Sequence, residues 1–406
     1  MSTGILQTNN LPIDLAKKSF AGMITRLMPN GAAPLFGMTS MLGDERAVQT
    51  EHGYFSKTML FPELQLSAAV VAADTVLPVV STANVLPGMI MRVNTTGENI
   101  IINNVISPTS VSVSRGIGTV AAANIAINVR LYQVGSAFEE SSIRPNALNI
   151  NPVRITNLTQ IFRNTWAVSD TMRETMVIAG ETNVAESKQD CAAFHAADIE
   201  KGLFFGQRSQ GTRNGNPFRT MNGLIAIVGN LANYPSYYVA PNNFTAAATT
   251  NYTQLEGFLD PVFNQATDPK VANERVLFCG GNAKRVINNI GRLNGTYQLV
   301  DGQTNWGLQF ATFKTARGMF RLIEHPLFNS NTDWSSMAIA VDLSTFKIAY
   351  LGDRKTQSKD FNGSSNEATD NGIDAVGGTL TTELTTVIKN PPANSIITGL
   401  TAAAVG

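Results

Sequence analysis

The 406-residue chain reads as an α+β protein with a small β-domain inserted near its front. Three observations predict this. Between Gln65 and Ala137, apolar residues recur at every second position in short runs broken by Pro-Gly and Asn/Thr/Gly turns. That is the pattern of antiparallel strands with one wet face. From Asn183 to Gly206, apolar residues follow helical spacing for about 20 residues, roughly 30 Å of helix at 1.5 Å per residue. Beyond residue 250, short apolar strands alternate with amphipathic helices, which implies an α/β or α+β unit.

Taken in order, residues 1–12 form a loose arm. Asp14 caps a helix whose face carries Ala16, Phe20, Met23, Ile24 and Leu27, stopped by Pro29-Asn30-Gly31. Residues 46–64 are extended, most clearly in "YFSKTMLF". The next segment, 65–137, holds only five charged residues: Asp74, Arg92, Glu98, Arg115 and Arg130. Within it Met89, Met91 and Val93 alternate with Ile90 and Arg92, and Val111 and Val113 alternate with serines. The same spacing predicts that Ile125, Ile127, Val129 and Leu131 share one face of a strand. "NINPVRITNLTQIFRNTWAVS", residues 149–169, is again extended.

Asn183 with Glu186 opens the long helix as a capping box. Ala185, Ala192, Ala196, Ile199 and Leu203 form its expected buried face, and Gly206 stops it. "GTRNGNPFRTMNGLIAIV" reads as a polar loop leading into an apolar segment. Residues 252–265 and 282–292 read as helices. "RVLFCG", "MFRLIEH", "SMAIAVDL", "FKIAYLG" and "TLTTELTTVIK" read as strands. A polar stretch, 354–374, precedes the last of these, and "NPPANSIITGL" ends the ordered part.

Lys+Arg and Asp+Glu are both 30, so the formal charge is zero. This argues against a dedicated nucleic-acid binder or a polybasic membrane anchor. Charged residues make up 15% of the chain, below the roughly 25% of an average soluble domain, which fits either a surface much of which is subunit contact or a neutral surface rich in Asn, Thr and Ser. Cys191 and Cys279 form no CxxC pair and no Cys/His cluster, so neither a zinc site nor a disulfide framework is expected. "MSTGILQTNN" lacks the basic and apolar regions of a secretory signal. The most apolar stretch, around "LSAAVVAADTVLPVV", is too interrupted to span a membrane.

Two stretches invite a nucleotide-binding reading. "RGIGTVAAAN" contains Gly116-x-Gly118-x-x-Ala121, with Glu139 and Glu140 about 20 residues on, where a dinucleotide site keeps its ribose-binding acid. Such a turn needs a fully buried parallel strand before it and a helix after it. "SVSVS" is half polar and "NIAINVRL" has period two, so a hairpin turn is expected instead. "FCGGNAKRVI" runs strand, glycine turn, helix, but lacks the Gly-Lys-Ser/Thr ending of a phosphate loop. His195 lies four residues from Cys191 with no third group in view, which reads as packing rather than a nucleophile and its base. No catalytic, cofactor-binding or metal-ligating set is expected.

The order and spacing of several segments resemble the major capsid proteins of tailed bacteriophages, the Johnson fold, and among them the branch with a β-domain inserted in the extended loop. The carriers are "LPGMIMRVNTTGENI" and "VSVSRGIGTVAAANI", then "QVGSAFEES" and "TQIFRNTWAVSDTM". After the long helix come "DIEKGLFFGQRSQGTRNGNPFRTMNGL", "AVDLSTFKIAYLG" and "GGTLTTELTTVIKNPPANSIITGL". The polar stretch 354–374 departs from the family, which makes a shorter link there.

The resemblance implies an N-terminal arm over 1–45 and an extended loop over 46–168, with the inserted β-domain at 65–137. It implies a peripheral domain over 169–218 with its spine helix at 183–206, an axial domain over 219–345, and a return to the peripheral domain over 346–406. It implies self-assembly into the hexameric and pentameric capsomers of an icosahedral head that encloses DNA without reading its sequence. The partners are neighbouring capsomers and scaffold, portal or cement proteins; the location is the virion, assembled in the host cytoplasm. Contacts between subunits are expected at Phe20, Met23, Ile24, Leu27, Tyr54, Phe55, Glu139 and Glu140. Another virion component, such as a decoration or tail protein, is the alternative; a nucleotide-binding enzyme is the remote one.

Overall fold

The computed structural model describes residues 33–57, 62–148, 151–175, 183–234, 241–247, 250–264, 274–293, 300–305, 308–362 and 374–401. The helix expected around Phe20, Met23, Ile24 and Leu27 lies outside them. The chain divides into two compact units, one of them formed by residues 55–154.

The larger unit begins with α1 (Pro34–Met41), started by a proline whose missing N–H costs nothing in a first turn. β1 (Glu45–Ala47) and β2 (Glu51–Ser56) follow. Leu35 and Met38 of α1 and Ala47 of β1 are buried, so the arm expected over 1–45 is already part of the body from residue 34.

The smaller unit holds β3 (Glu63–Gln65), β4 (Val76–Pro78), β5 (Met89–Val93), β6 (Asn99–Ser107), β7 (Ser110–Ser114) and β8 (Arg130–Ser136). They pair in the order β3-β8-β5-β6-β7-β4, antiparallel wherever a register is resolved. The ends of that path also meet. Leu66 bridges Val79, the N–H of Val80 donates to Gln65 O at 2.8 Å, and that of Ser67 to Pro78 O at 3.0 Å. The sheet therefore closes on itself as a small barrel, which leaves no long free edge. Its interior is filled by the alternate residues the pattern selected, among them Met91, Val93, Ile100, Ile102, Val111 and Val113, all at or near zero exposure. SVSVS runs half-buried and buried in alternation, as its serines predict.

One part of the pattern fails. Ile125 is buried and makes a single bridge to Val70, but Ile127 is 53% exposed, and β8 begins only at Arg130. Asn128 adopts a left-handed conformation (φ 67°), so a turn interrupts the period-two run before a strand can form.

The chain returns through β9 (Val153–Leu158), which pairs with β2, and β10 (Gln160–Ser169). β10 is not a side of an extended loop, as expected for residues up to 168. It pairs along its full length with β21 (Ala375–Ile388) in a five-stranded sheet ordered β1-β19-β21-β10, where β19 is Phe346–Leu351. Phe162, Trp166 and Val168 bury one face of β10. α2 (Asp170–Glu174) is capped by Ser169.

α3 (Asn183–Phe205) is the long helix, 23 residues, within one residue of its expected end. Its buried face differs from the expected one. Ala192 is exposed and Ala196 half-buried, while Cys191, His195, Ile199, Glu200, Leu203 and Phe204 are buried. An apolar count assigns His195 and Glu200 to water; each instead has dedicated partners inside, and these rotate the inward stripe.

After α3, β11 (Ser209–Arg213) and β12 (Asn216–Thr220) form a hairpin where a loop was expected. Its two-residue turn is Asn214-Gly215, both at positive φ (52° and 76°), the geometry a right-twisted hairpin needs. Then come α4 (Leu224–Val228), β13 (Asn243–Thr245) and α5 (Tyr252–Leu259). A capping box of Asn251 and Gln254 starts α5, and a 3-10 turn (Asp260–Phe263) replaces the end of the longer helix expected there.

β14 (Glu274–Cys279), α6 (Gly281–Leu293), β15 (Val300–Asn305), β16 (Leu308–Lys314), β17 (Met319–Glu324), α7 (Thr332–Ser335) and β18 (Ala338–Val341) build most of a second sheet. Its order is β13-β22-β18-β14-β17-β16-β15, where β22 is Ser395–Thr398. Of the strands within 346–406, β19, β20 (Gln357–Asn362), which pairs β21, and β21 itself lie in the first sheet, whereas β22 lies in the second. "SIIT" is almost wholly buried, the continuous pattern of a central strand covered on both faces. Part of the polar stretch 354–374 is therefore a strand; residues 363–373 lie outside the described ones.

Candidate functional site

Among the described residues no group of three or more His, Cys, Asp or Glu side chains could hold a metal, and no helix is long and apolar enough to cross a membrane. The polar chemistry of the interior is instead organised around a few buried carboxylates and amides, each joining segments far apart in sequence.

The glycine turn is one of these. Gly116 (φ 65°) and Gly118 (φ 102°) turn the chain after β7, and the turn does cradle an anion, supplied by the chain itself. Glu98 is fully buried. Arg115 forks onto it, Nε to Oε1 at 2.8 Å and Nη2 to Oε2 at 2.7 Å. The N–H of Gly116 donates to Oε1 at 3.0 Å and that of Ala123 to Oε2 at 3.3 Å. Arg115 Nη1 also donates to Val71 O at 2.8 Å. Burial pushes the Glu98 carboxyl up, but Arg115 and the two amides outweigh it and hold the group below its ordinary value. Two of the five charges in this segment, Glu98 and Arg115, thus form the barrel's internal clamp.

In the second glycine stretch, Gly281 N–H donates to Asn329 Oδ1 at 2.7 Å and Asn282 N–H to Ser335 Oγ at 3.3 Å. The first amides of α6 are thus satisfied internally. His195 is held between Asn164 Oδ1 and Thr382 Oγ1, both at 2.7 Å from its ring nitrogens. Burial lowers its pKa against the opposing pull of Asp198, and burial raises the Cys191 thiol. Both side chains lie on the buried face of α3. Cys279, wholly buried, is pushed up to about 12.

Three further junctions were not visible in the sequence. Glu200 of α3 accepts the N–H groups of Leu35 and Phe36, both at 2.8 Å, and faces His325 Nε2 at 2.8 Å. Glu383, buried in the middle of β21, accepts Thr159 Oγ1 at 2.9 Å and pairs with Arg354 at 3.0 Å and Arg219 at 3.6 Å. Asn157 donates to Asn222 O at 2.9 Å and to Thr386 Oγ1 at 2.8 Å, while its Oδ1 accepts Asn222 N–H at 2.8 Å. A carboxylate or amide flanked by ordinary sequence gives no local signal of a partner more than 60 residues away.

The residues expected at subunit contacts fall into three groups. Phe20, Met23, Ile24 and Leu27 lie outside the described residues. Tyr54 is used within its own subunit: its ring packs beside Ala47, Ala349 and Val387, and its hydroxyl donates to Ile388 O. Phe55 is 70% exposed, and Glu139 and Glu140 are exposed. The two acids open a segment, 139–148, that is exposed throughout and belongs to no strand or helix. It carries Ile143, 92% exposed, and Leu148, with Phe138 just before it.

Buried charge that ties strands to helices, together with apolar side chains held out on extended segments, is the pattern of a structural subunit that packs against other chains. Comparison with known proteins gives the class its family. The chain belongs to the SU10 major capsid protein family, whose model matches residues 2–401, and its function is that of a phage major capsid protein. A major capsid protein of Pseudomonas phage PaMx41 is 37% identical over 408 residues, 98% of this chain and 96% of that one. Among solved structures the chain is similar to the capsid of a native GTA particle (8% identity, 97% of each chain, TM-score 0.47). It is also similar to a chain from Mycobacterium phage Bobi (10% identity, 98% of this chain and 99% of that one, TM-score 0.46).

Proposed function

We propose that copies of this chain assemble, in the host cytoplasm, into hexameric and pentameric capsomers of a closed icosahedral head around the phage DNA. The N-terminal arm and the extended segments flanking the barrel act as clasps between neighbouring subunits. The observation that carries this reading is the run 138–148, which holds Phe138, Ile143 and Leu148 in water on a segment that has no sheet of its own. Burying one such side chain contributes about 1.5–3 kcal/mol, and repetition over a symmetric shell multiplies that. A chain of zero net charge suits a wall that contains DNA without gripping it. In this reading the five-stranded sheet is assigned to the peripheral domain and the seven-stranded sheet to the axial one.

Deleting Gly4–Asn30 tests the arm. The expected product is a folded subunit that keeps its cooperative thermal transition and forms few or no shells by electron microscopy. Particles of normal yield and shape from that deletion would remove the arm from the assembly mechanism.

A further inference from the structure

We propose that helix α1 is a detachable strap and that the Glu200 carboxylate is its latch. Three elements converge on this one group. Its Oε1 accepts Leu35 N–H and faces His325 Nε2, and its Oε2 accepts Phe36 N–H, all at 2.8 Å. His325 Nδ1 accepts Leu327 N–H at 3.2 Å, so Nε2 carries the proton and donates to Glu200. The ring is stacked on Phe328 at 4.4 Å and meets the edge of Phe204 at 5.1 Å, so it is fixed before α1 arrives. The carboxylate is thus presented by the rigid core, and the two first-turn amides of α1 dock on it. An anion at that end of the helix is favoured both by the unpaired N–H groups and by the helix dipole.

The rest of the attachment is a short packed face. α1 is eight residues long and buries Pro34, Leu35, Met38 and Thr39, with Leu35 and Met38 in the main core and Phe36 packed against it. At its far end Met41 is 66% exposed, and the tie is an exposed one, Lys347 Nζ to Leu42 O at 2.7 Å. An isolated helix of this length is not stable in water, so α1 persists only while docked. The Glu200 carboxylate therefore supplies the buried polar part of what holds residues 34–41. The latch itself follows from the contacts of the subunit; its consequence for assembly rests on the arm reading above.

The test is amide hydrogen exchange on unassembled, full-length subunits, comparing the wild type with Glu200→Gln. The variant keeps the shape but removes the charge and one acceptor oxygen. Exchange at residues 34–41 is expected to quicken by about tenfold or more, because a charge-assisted bond to a buried group is lost. Exchange over Cys191–Phe204 and over β14 and β18 is expected to stay unchanged. Glu200→Asp, which keeps the charge but shortens the reach, is expected to act in the same direction. No change at 34–41, or an equal rise across the whole core, overturns the latch. So does failure of both variants to fold, since Glu200 would then be part of the global core. A local loosening with normal particle yield would leave the latch standing and count against the arm as a clasp.

Discussion

Arg115→Ala strongly destabilises the inserted barrel and leaves the larger unit as stable as before. Glu98 is fully buried, and the substitution strips it of its forked cation while the barrel keeps it from water. Breaking a buried pair from one side costs about 3–5 kcal/mol, a large share of what a domain of this size has. Two-step thermal unfolding, with only the barrel's transition lowered, is the expected calorimetric trace. Its pH dependence gives a second signature. The Glu98 pKa is depressed in the fold from an ordinary value of 4.5, so its contribution is complete above that value and is lost as pH falls through the folded one. In Arg115→Ala the sign reverses. The carboxylate is then buried without its cation, its folded pKa rises, and mild acid restores part of the stability. A variant whose barrel melts at the wild-type temperature, or keeps the wild-type pH slope, contradicts this account of the clamp.

Phe204→Ala has the largest expected effect in the larger unit. Its ring is fully buried at the end of α3 and meets Phe278 at 5.5 Å and Phe328 at 5.1 Å, both edge-on, as well as His325. Truncating a buried aromatic side chain costs about 3–5 kcal/mol through lost transfer energy and the cavity left behind. Phe205, the next residue, is half-buried and stacks on Trp334 at 4.3 Å. Phe205→Ala is expected to cost less than half as much. Denaturant midpoints of the two variants check the contrast; equal losses would contradict the assignment of Phe204 to the core.

What the sequence made legible follows from local physics. β5 and β7 are read correctly because alternation of side chains on a pleated strand is a property of neighbouring residues. The long helix is found for the same reason, whereas β21, found as a strand, is buried without alternation from Thr382 to Ile388. The Asn214-Gly215 hairpin carried a local signal as well, an Asn-Gly pair between β-capable runs, and the polar composition around it masked it. Ile127 shows the limit of period counting: one left-handed asparagine at 128 cancels a pattern that looks unbroken on paper. The inward rotation of α3 was not legible, because His195 and Glu200 are buried only by virtue of Asn164, Thr382, His325 and the amides of α1. The destination of β22 was hidden likewise, since its partners β13 and β18 lie about 55 to 150 residues earlier and nothing local chooses between two sheets. For the site, the partner of the glycine turn was not legible, because Glu98 lies 18 residues away. Phe55, Glu139 and Glu140 are exposed as surface contacts require, whereas Tyr54 turned inward.

The central claim is that the chain builds a shell from copies of itself. Negative-stain electron microscopy of the purified full-length protein, concentrated at neutral pH, tests it most directly. Closed shells, or rings and sheets of six- and five-fold capsomers, are the predicted result; a population that stays monomeric at every concentration and salt condition would contradict it.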